Sequence, residues 1–259
     1  MRILVTGASK GIGRAIAERL AAPGVSLGVC ASRGSDKLSA IAGVCQERGA
    51  HTIALTGDLA DTATPARLVA DAVSAFGGLD AVISNAGVVA PSRIAELSLD
   101  DWDRIFAINT RSAFLLARAV HPHLLASRGS FVAVASMSGV EPYPGTGAYS
   151  PSKAALIMLV RVLAQEWAAD GIRVNAISPG LIKTAMTAPI YADPVKTAAR
   201  EALVPKHRIG VPERDIAGIA AFLISADASY ITGQNIIADG GLLGSIQGNI
   251  AGRPKSGSP

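Results

Sequence analysis

The sequence has little of three things: cysteine, aromatic residues and charge. Its 259 residues include 2 cysteines, 4% aromatic residues and 17% charged residues. Cys30 and Cys45 are too few for a disulfide framework, so we expect both to be reduced and the protein to be cytoplasmic. Apolar runs stay short of the ~18 residues that a membrane-spanning helix needs. Met1-Arg2 leads into the first apolar run without the pattern of a secretory signal.

Basic clusters and metal-binding spacings are missing as well. The net charge is +4, but lysines and arginines are scattered rather than gathered into the patch of a nucleic-acid-binding protein. The 4 histidines lack cysteine or carboxylate partners at the spacing of a closed metal site. We therefore expect no nucleic-acid partner, no membrane partner and no metal.

A large apolar fraction is present, and it is arranged in alternating patterns. Hydrophobic residues make up 49% of the chain, enough for one sizeable core. Apolar runs alternate with helical spacing, which is typical of a parallel sheet covered on both faces. The pattern predicts strands near 2–6, 25–31, 52–56, 79–84, 130–135, 172–178 and 235–238, and helices near 12–22, 36–48, 65–76, 100–126, 149–168 and 213–225. We expect one α/β domain over residues 1–251 and a flexible tail over 252–259.

A glycine-rich turn follows the first predicted strand. Gly7, Gly11 and Gly13 stand between an apolar run and a helical pattern, which is the context of a dinucleotide-phosphate loop. Glycine lets a pyrophosphate approach the main chain, and the free N–H groups of the following helix attract its charge. A turn that only packs the helix on the strand is the alternative, and the nucleotide interpretation is favoured.

Tyr149 and Lys153 stand one helical turn apart in a predicted helix. A positive charge close to a phenol favours the phenolate and lowers the tyrosine pKa. The pair is therefore suited to acid–base chemistry at neutral pH. Taken alone, this spacing also arises by chance on surface helices, so its weight comes from the other motifs.

The order and spacing of these motifs resemble the short-chain dehydrogenase/reductase family. The matching segments are Thr-Gly-x-x-x-Gly-x-Gly from Thr6, Asn85-Ala86-Gly87 after the fourth predicted strand, and Tyr-x-x-x-Lys from Tyr149. The chain most resembles the 3-oxoacyl-(acyl-carrier-protein) reductase-like branch over residues 1–241. The resemblance implies a Rossmann-type doubly wound domain with a seven-stranded, mainly parallel sheet, hydride transfer between a nicotinamide cofactor and a substrate, and a homotetramer.

The resemblance also implies a catalytic set of four residues. Ser136, thirteen residues before Tyr149, would donate a hydrogen bond to the substrate oxygen, and Tyr149 would transfer the proton. Lys153 would lower the tyrosine pKa and hold the nicotinamide ribose, and Asn109 would kink its helix and anchor a relay water. A core amide bonded to backbone is the alternative for Asn109. Ser138 is a rival for Ser136, because strand alternation would place both on the same side.

Charge at the end of the second predicted strand favours NADP(H), with NAD(H) left open. No carboxylate stands there to bind the ribose hydroxyls of NAD; instead Ser32 and Arg33 can bind a phosphate, and Lys10 can add a second cation. Ordinary solvated cations are the alternative. The resemblance places Asp58 at the adenine amino group. The remaining cofactor contacts that it implies are Gly7, Ser9, Gly11, Ile12, Gly13, Leu59, Asn85, Ala86, Gly87, Tyr149, Lys153, Pro179, Gly180, Ile182 and Thr184.

The substrate is expected to be a small carbonyl compound or alcohol. Residues 183–212 interrupt the regular alternation with four prolines, which is typical of a lid over an active site. A dedicated fatty-acid role is disfavoured: Arg128 matches a basic docking position of that branch, but Asp170 stands where a second basic residue would be needed. An NAD-dependent polyol or sugar dehydrogenase and a catalytically silent NADP-binding sensor are the alternatives.

The apolar helix over residues 154–164 fits burial in the contact between subunits of a homotetramer. Burial in the core of one subunit would explain it nearly as well.

Overall fold

Seven parallel strands form one sheet in this computed structural model, which describes residues 1–245. The strands follow the order β3-β2-β1-β4-β5-β6-β7, and each adjacent pair is parallel. Their bounds are β1 Arg2–Val5, β2 Ser26–Ala31, β3 His51–Thr56, β4 Ala81–Ser84, β5 Ser130–Val134, β6 Arg173–Pro179 and β7 Asn235–Ala238. The predicted doubly wound α/β sheet is therefore confirmed.

Helices cover both faces of the sheet. Ile3 and Val5 pack with α1, α2 and α10 on one face, whereas Leu4 packs with α3, α5 and α6 on the other. The central strands are buried on both faces, and this is why they appear in the sequence as unbroken apolar runs. The helices are α1 Gly11–Leu20, α2 Asp36–Glu47, α3 Thr64–Phe76, α4 Leu99–Phe106, α5 Ser112–Ser127, α6 Tyr149–Trp167, α7 Ala188–Tyr191, α8 Pro194–Leu203, α9 Pro212–Asp215 and α10 Ala217–Ile224.

Three predicted segments differ in detail. The helix expected over 100–126 is divided by a π-helical segment, Ala107–Arg111, between α4 and α5. The helix expected over 213–225 breaks at Ile216, whose φ of −121° is not helical. The irregular segment 183–212 contains the short helices α7 and α8, so the predicted lid has secondary structure of its own.

The topology creates a crevice at the carboxyl ends of β1 and β4. The chain moves outward from β1 to β3, then returns to place β4 on the other side of β1. Ligands of open α/β sheets bind at such a switch point. The end of the predicted domain at 251 and the predicted tail over 252–259 lie outside the described residues.

Residues 1–245 contain neither a helix suited to span a membrane nor a cluster of metal ligands. No helix within this range is long and apolar enough to cross a bilayer. Within the same range, no group of three or more His, Cys, Asp or Glu residues could hold a metal ion.

Candidate active site

The glycine-rich turn is fastened to the loop that follows β4. Gly7 has a φ of +65° and Gly11 a φ of +57°, conformations that favour glycine. The Thr6 hydroxyl accepts hydrogen bonds from the backbone N–H groups of Asn85 and Ala86, at 3.0 and 3.1 Å. In return, the Asn85 amide donates to the carbonyls of Thr6 and Gly7, at 2.9 and 3.2 Å. Thr6 was not among the predicted site residues, although it opens the motif.

Gly13 allows helix α1 to begin directly against this turn. A Cβ at Gly13 would collide with the Gly7 carbonyl oxygen and the Asn85 side chain. A Cβ at Gly7 would lie 2.9 Å from Ala86 Cα, which is also too close. A tight turn with glycine at its points of closest packing, ending at a helix N-terminus, fits the pyrophosphate of a dinucleotide.

A cavity of about 320 Å³ extends from this turn along the carboxyl ends of the strands. It connects the ends of β2 and β3 with the start of α6, so it brings most of the predicted site residues together. The predicted residues that line it are Gly7, Ser9, Lys10, Gly11, Ile12, Ser32, Asp58, Leu59, Asn85, Ala86, Gly87, Tyr149, Lys153 and Thr184. Met186, from the predicted lid, lines it as well. Sequence reasoning missed the lining residues Cys30, Ala31, Gly57, Leu68, Val88, Arg104, Ile108, Val134, Ala135 and Ala185.

Gly13 and four other predicted cofactor contacts do not line this cavity, and neither do Ser136 and Asn109 of the predicted catalytic set. Arg33 lies exposed after β2. Pro179 ends β6, and the Gly180 N–H donates to the Ala238 carbonyl at 2.9 Å. Ile182 is 5% exposed and pairs with Gly210. The structure therefore gives these residues positions beside the site, and their contact with a cofactor stays a prediction.

The predicted proton-transfer pair meets at the start of α6. Tyr149 is the first residue of this helix, and Lys153 Nζ lies 5.9 Å from the centroid of its ring. Lys153 is 3% exposed, and its Nζ donates to the Val134 carbonyl at 2.9 Å. Both side chains line the same cavity, as the helical spacing predicts.

Burial controls the ionisation of both side chains. It lowers the pKa of Lys153 to about 8 because removal from water disfavours the ammonium form. Burial also raises the pKa of Tyr149 above its ordinary value, while hydrogen bonding with Ser136 opposes this change. The predicted net lowering of the tyrosine pKa is therefore wrong for the protein on its own, because desolvation of the phenolate outweighs the hydrogen bond with Ser136.

Asn109 connects the loop after β4 with the start of α6. Its amide donates to the Val88 carbonyl and to the Ser152 hydroxyl, both at 3.0 Å, and its Oδ1 accepts from the Val88 N–H at 2.8 Å. Ser152 in turn donates to the Tyr149 carbonyl at 2.7 Å. The side chain thus behaves as a core amide bonded to backbone, which was the alternative interpretation. Its place in the catalytic set stays a prediction.

Ser136 is distinguished from Ser138 by a turn after β5. The strand ends at Val134, and a 3₁₀ turn occupies Met137–Gly139. Ser136 caps this turn, its Oγ accepting from the Ser138 N–H at 3.2 Å. The strand alternation on which the predicted rivalry of the two serines rested therefore does not extend to these residues. Ser136 is the serine whose hydroxyl influences Tyr149.

A doubly wound sheet with a glycine-rich turn and a Tyr–Lys pair on one cavity defines a dinucleotide-dependent oxidoreductase. Residues 7–243 match the family model described as "Enoyl-(Acyl carrier protein) reductase". The chain is 37% identical over 244 residues to 3beta-hydroxysteroid dehydrogenase 1 of Eggerthella lenta, covering 93% of this chain and 92% of that protein. The chain belongs to the short-chain dehydrogenase/reductase family, whose dehydrogenases use NAD(P) and act on CH–OH groups.

Two solved structures are similar over nearly the whole chain. A protein assigned as a short-chain alcohol dehydrogenase from Sinorhizobium meliloti 1021 is 38% identical, with a TM-score of 0.89 and coverage of 95% of this chain and 97% of its own. A protein assigned as an NAD(P)-dependent gluconate 5-dehydrogenase from Beutenbergia cavernae, with NADP bound at low occupancy, is 36% identical. Its TM-score is 0.87, over 94% of this chain and 96% of its own. Neither match favours the carrier-protein reductase-like branch.

Proposed function

We propose that the protein is an NADP(H)-dependent oxidoreductase that interconverts a ketone or 3-oxoacyl carbonyl and a secondary alcohol. The observation that carries this proposal is the single cavity that joins the glycine-rich turn to Tyr149 and Lys153. The turn supplies backbone N–H groups for phosphates, and the other end supplies an ionisable hydroxyl beside a buried ammonium group.

The four residues of the proposed catalytic set have distinct tasks. A nicotinamide cofactor, when bound, would supply or accept the hydride at the substrate carbon. Ser136 donates a hydrogen bond to the substrate oxygen, where negative charge develops during reduction. Tyr149 gives that oxygen a proton in reduction and removes it in oxidation, so hydride and proton together convert C=O into CH–OH. Lys153 places a positive charge near the phenol, and Asn109 holds the first turn of α6 in position.

Preference for NADP(H) is supported by the charges around the adenosine end. Lys10 and Ser32 line the cavity, and Arg33 is exposed beside Ser32. The Beutenbergia cavernae relative binds NADP, which agrees with this preference. We expect NADPH to exceed NADH in kcat/KM by about tenfold or more, the value of one charge-assisted contact to a phosphate.

Replacing Arg33 tests this assignment. Arg33→Ala should remove most of the NADPH preference and leave the NADH rate unchanged, whereas the control Arg19→Ala, an exposed arginine at the end of α1, should change neither. Initial rates with both cofactors measure the effect. A wild-type enzyme that prefers NADH, or an Arg33→Ala enzyme with undiminished preference, would contradict the proposal.

The substrate class remains broader than one compound. Relatives are named for a hydroxysteroid and for gluconate, which supports a secondary alcohol in a ring or chain. A dedicated carrier-protein reductase is the weaker candidate: Arg128 is exposed, but neighbouring Asp170 keeps a carboxylate at that surface, 3.2 Å from His121. An NAD-dependent polyol or sugar dehydrogenase is the other candidate enzyme.

A screen of ketones, polyols and acetoacetyl thioesters with NADPH and NADH tests the proposed activity. We expect turnover of at least one ketone with NADPH. Tight NADPH binding without turnover of any compound would instead favour a silent NADP-binding sensor.

A homotetramer in the cytoplasm completes the proposal. One face of α6 is buried in the subunit core through Leu156 and Val160, but Met158 and Val162 on the same helix are 54% and 46% exposed. The structure is therefore compatible with both predicted explanations for this apolar helix, burial in the core of one subunit and burial between subunits.

Trp102 stacks on Phe106 at the surface of α4, with ring centroids 4.8 Å apart. Sedimentation at the 26.3 kDa mass of one chain would contradict the tetramer.

A further inference from the structure

Arg104 lies at one end of the cavity, the end where strands β2 and β3 terminate. It projects from α4 and contributes the only arginine to the cavity wall within residues 1–245. Its Nη2 lies 3.5 Å from Oδ2 of Asp58, which lines the same end. The other oxygen of Asp58 accepts from the Ala60 N–H at 3.0 Å, so the carboxylate is oriented with Oδ2 towards Arg104.

Fold stability does not explain this ion pair. The Arg104 and Asp58 side chains are 56% and 46% exposed, and pairs this accessible contribute little to stability. The loop after β3 is already held by two other arginines: Arg67 donates to the Thr56 carbonyl and Arg111 to the Ala60 carbonyl, both at 2.7 Å. Neither of them lines the cavity. The position of Arg104 therefore points to a ligand.

We propose that Arg104 is a cofactor-binding residue for the adenosine end of NADP(H), an inference that rests on the proposed function. A guanidinium is planar, weakly hydrated and able to pack on an aromatic ring, which suits a purine. Its charge also offsets Asp58, whose carboxylate would otherwise stand unpaired beside an anionic cofactor. Oδ2 keeps a second lone pair, so Asp58 can accept from the adenine amino group while Arg104 holds it.

Titration of purified protein with NADPH, followed by NADPH fluorescence, tests the inference, with 2′,5′-ADP as a competing probe of the adenosine end. We expect Arg104→Ala to weaken both ligands about tenfold, from loss of packing on the purine and of the charge that offsets Asp58. Arg104→Lys should recover part of this loss, because it restores the charge but not the planar group. The maximal rate of Arg104→Ala at saturating NADPH should stay unchanged, so that the effect appears only in the KM for NADPH.

Arg111→Ala is the matched control, because Arg111 fastens the same loop without lining the cavity. It should bind both ligands within about twofold of wild type, below the value of a single neutral hydrogen bond. Equal affinity of Arg104→Ala and wild type would overturn the inference and leave the proposed function standing. Equal weakening by Arg111→Ala would also overturn it, because loop position would then explain the loss. Failure of the wild-type protein to bind NADPH would overturn the proposed function itself.

Discussion

Tyr149→Phe is expected to lower kcat by about a thousandfold, the usual contribution of a positioned proton donor. The substitution removes one hydroxyl and keeps the ring against Lys153. Cofactor affinity should stay within about twofold of wild type, because the ring stays in place and the glycine-rich turn is unchanged. Steady-state rates with a ketone and NADPH, together with NADPH titration of the same preparation, measure the two quantities separately.

The direction of the Tyr149 pKa shift determines how the rate depends on pH. Because burial raises this pKa, the phenol holds its proton at neutral pH and is ready to donate it in reduction. In the oxidation direction the phenolate is needed, so the wild-type rate should rise as pH increases above neutral. The residual rate of Tyr149→Phe should not show that rise.

Tyr230→Phe is the control for this experiment. Tyr230 follows α10 and is fully exposed, so loss of its hydroxyl should change the rate by less than about threefold, the value of one weak hydrogen bond. A Tyr149→Phe enzyme with a near-normal rate would remove Tyr149 from the mechanism.

The sheet could be predicted from the sequence because its signals are local. Strands buried on both faces appear as continuous apolar runs, and the glycines of the phosphate loop stand together between a strand and a helix. The Tyr149–Lys153 pair was also predictable, since residues four apart share a helical face. Local pattern did not predict the π-helical segment at Ala107–Arg111, because its hydrogen-bond register leaves no mark on composition; only the family resemblance implied an irregularity at Asn109, which lies within it.

Contacts between distant segments could not be predicted from the sequence. Asn109 forms hydrogen bonds with Val88, 21 residues earlier, and with Ser152, 43 residues later. No local sequence pattern predicts either contact. Arg104 resembles any exposed arginine on a helix until α4 is placed beside the end of β3. The pKa of Tyr149 was mispredicted for a related reason: motif spacing shows the neighbouring charge but not the burial that opposes it.

Gly13→Ala is expected to weaken NADPH binding by about a hundredfold, which corresponds to roughly 3 kcal/mol. The new Cβ would collide with the Gly7 carbonyl and with the Asn85 amide. Neither can move freely, because the Asn85 amide already bonds the carbonyls of Thr6 and Gly7. Helix α1 must therefore shift away from the turn, and the N–H groups that would hold the pyrophosphate shift with it. Overpacking of this kind also destabilises a fold by about 1–3 kcal/mol.

Gly43→Ala separates this steric effect from the general effect of adding a methyl group to a helical glycine. Gly43 lies within α2, and a Cβ there would meet no atom within 4 Å. The free energy of unfolding of the Gly43→Ala variant should equal that of wild type or rise by about 0.4–1 kcal/mol, because alanine restricts the unfolded chain. The affinity of this variant for NADPH should not change. Urea unfolding and NADPH titration of both variants provide the comparison. If Gly13→Ala matched Gly43→Ala in both measurements, the close packing of α1 against the glycine-rich turn would not be what forms the cofactor site.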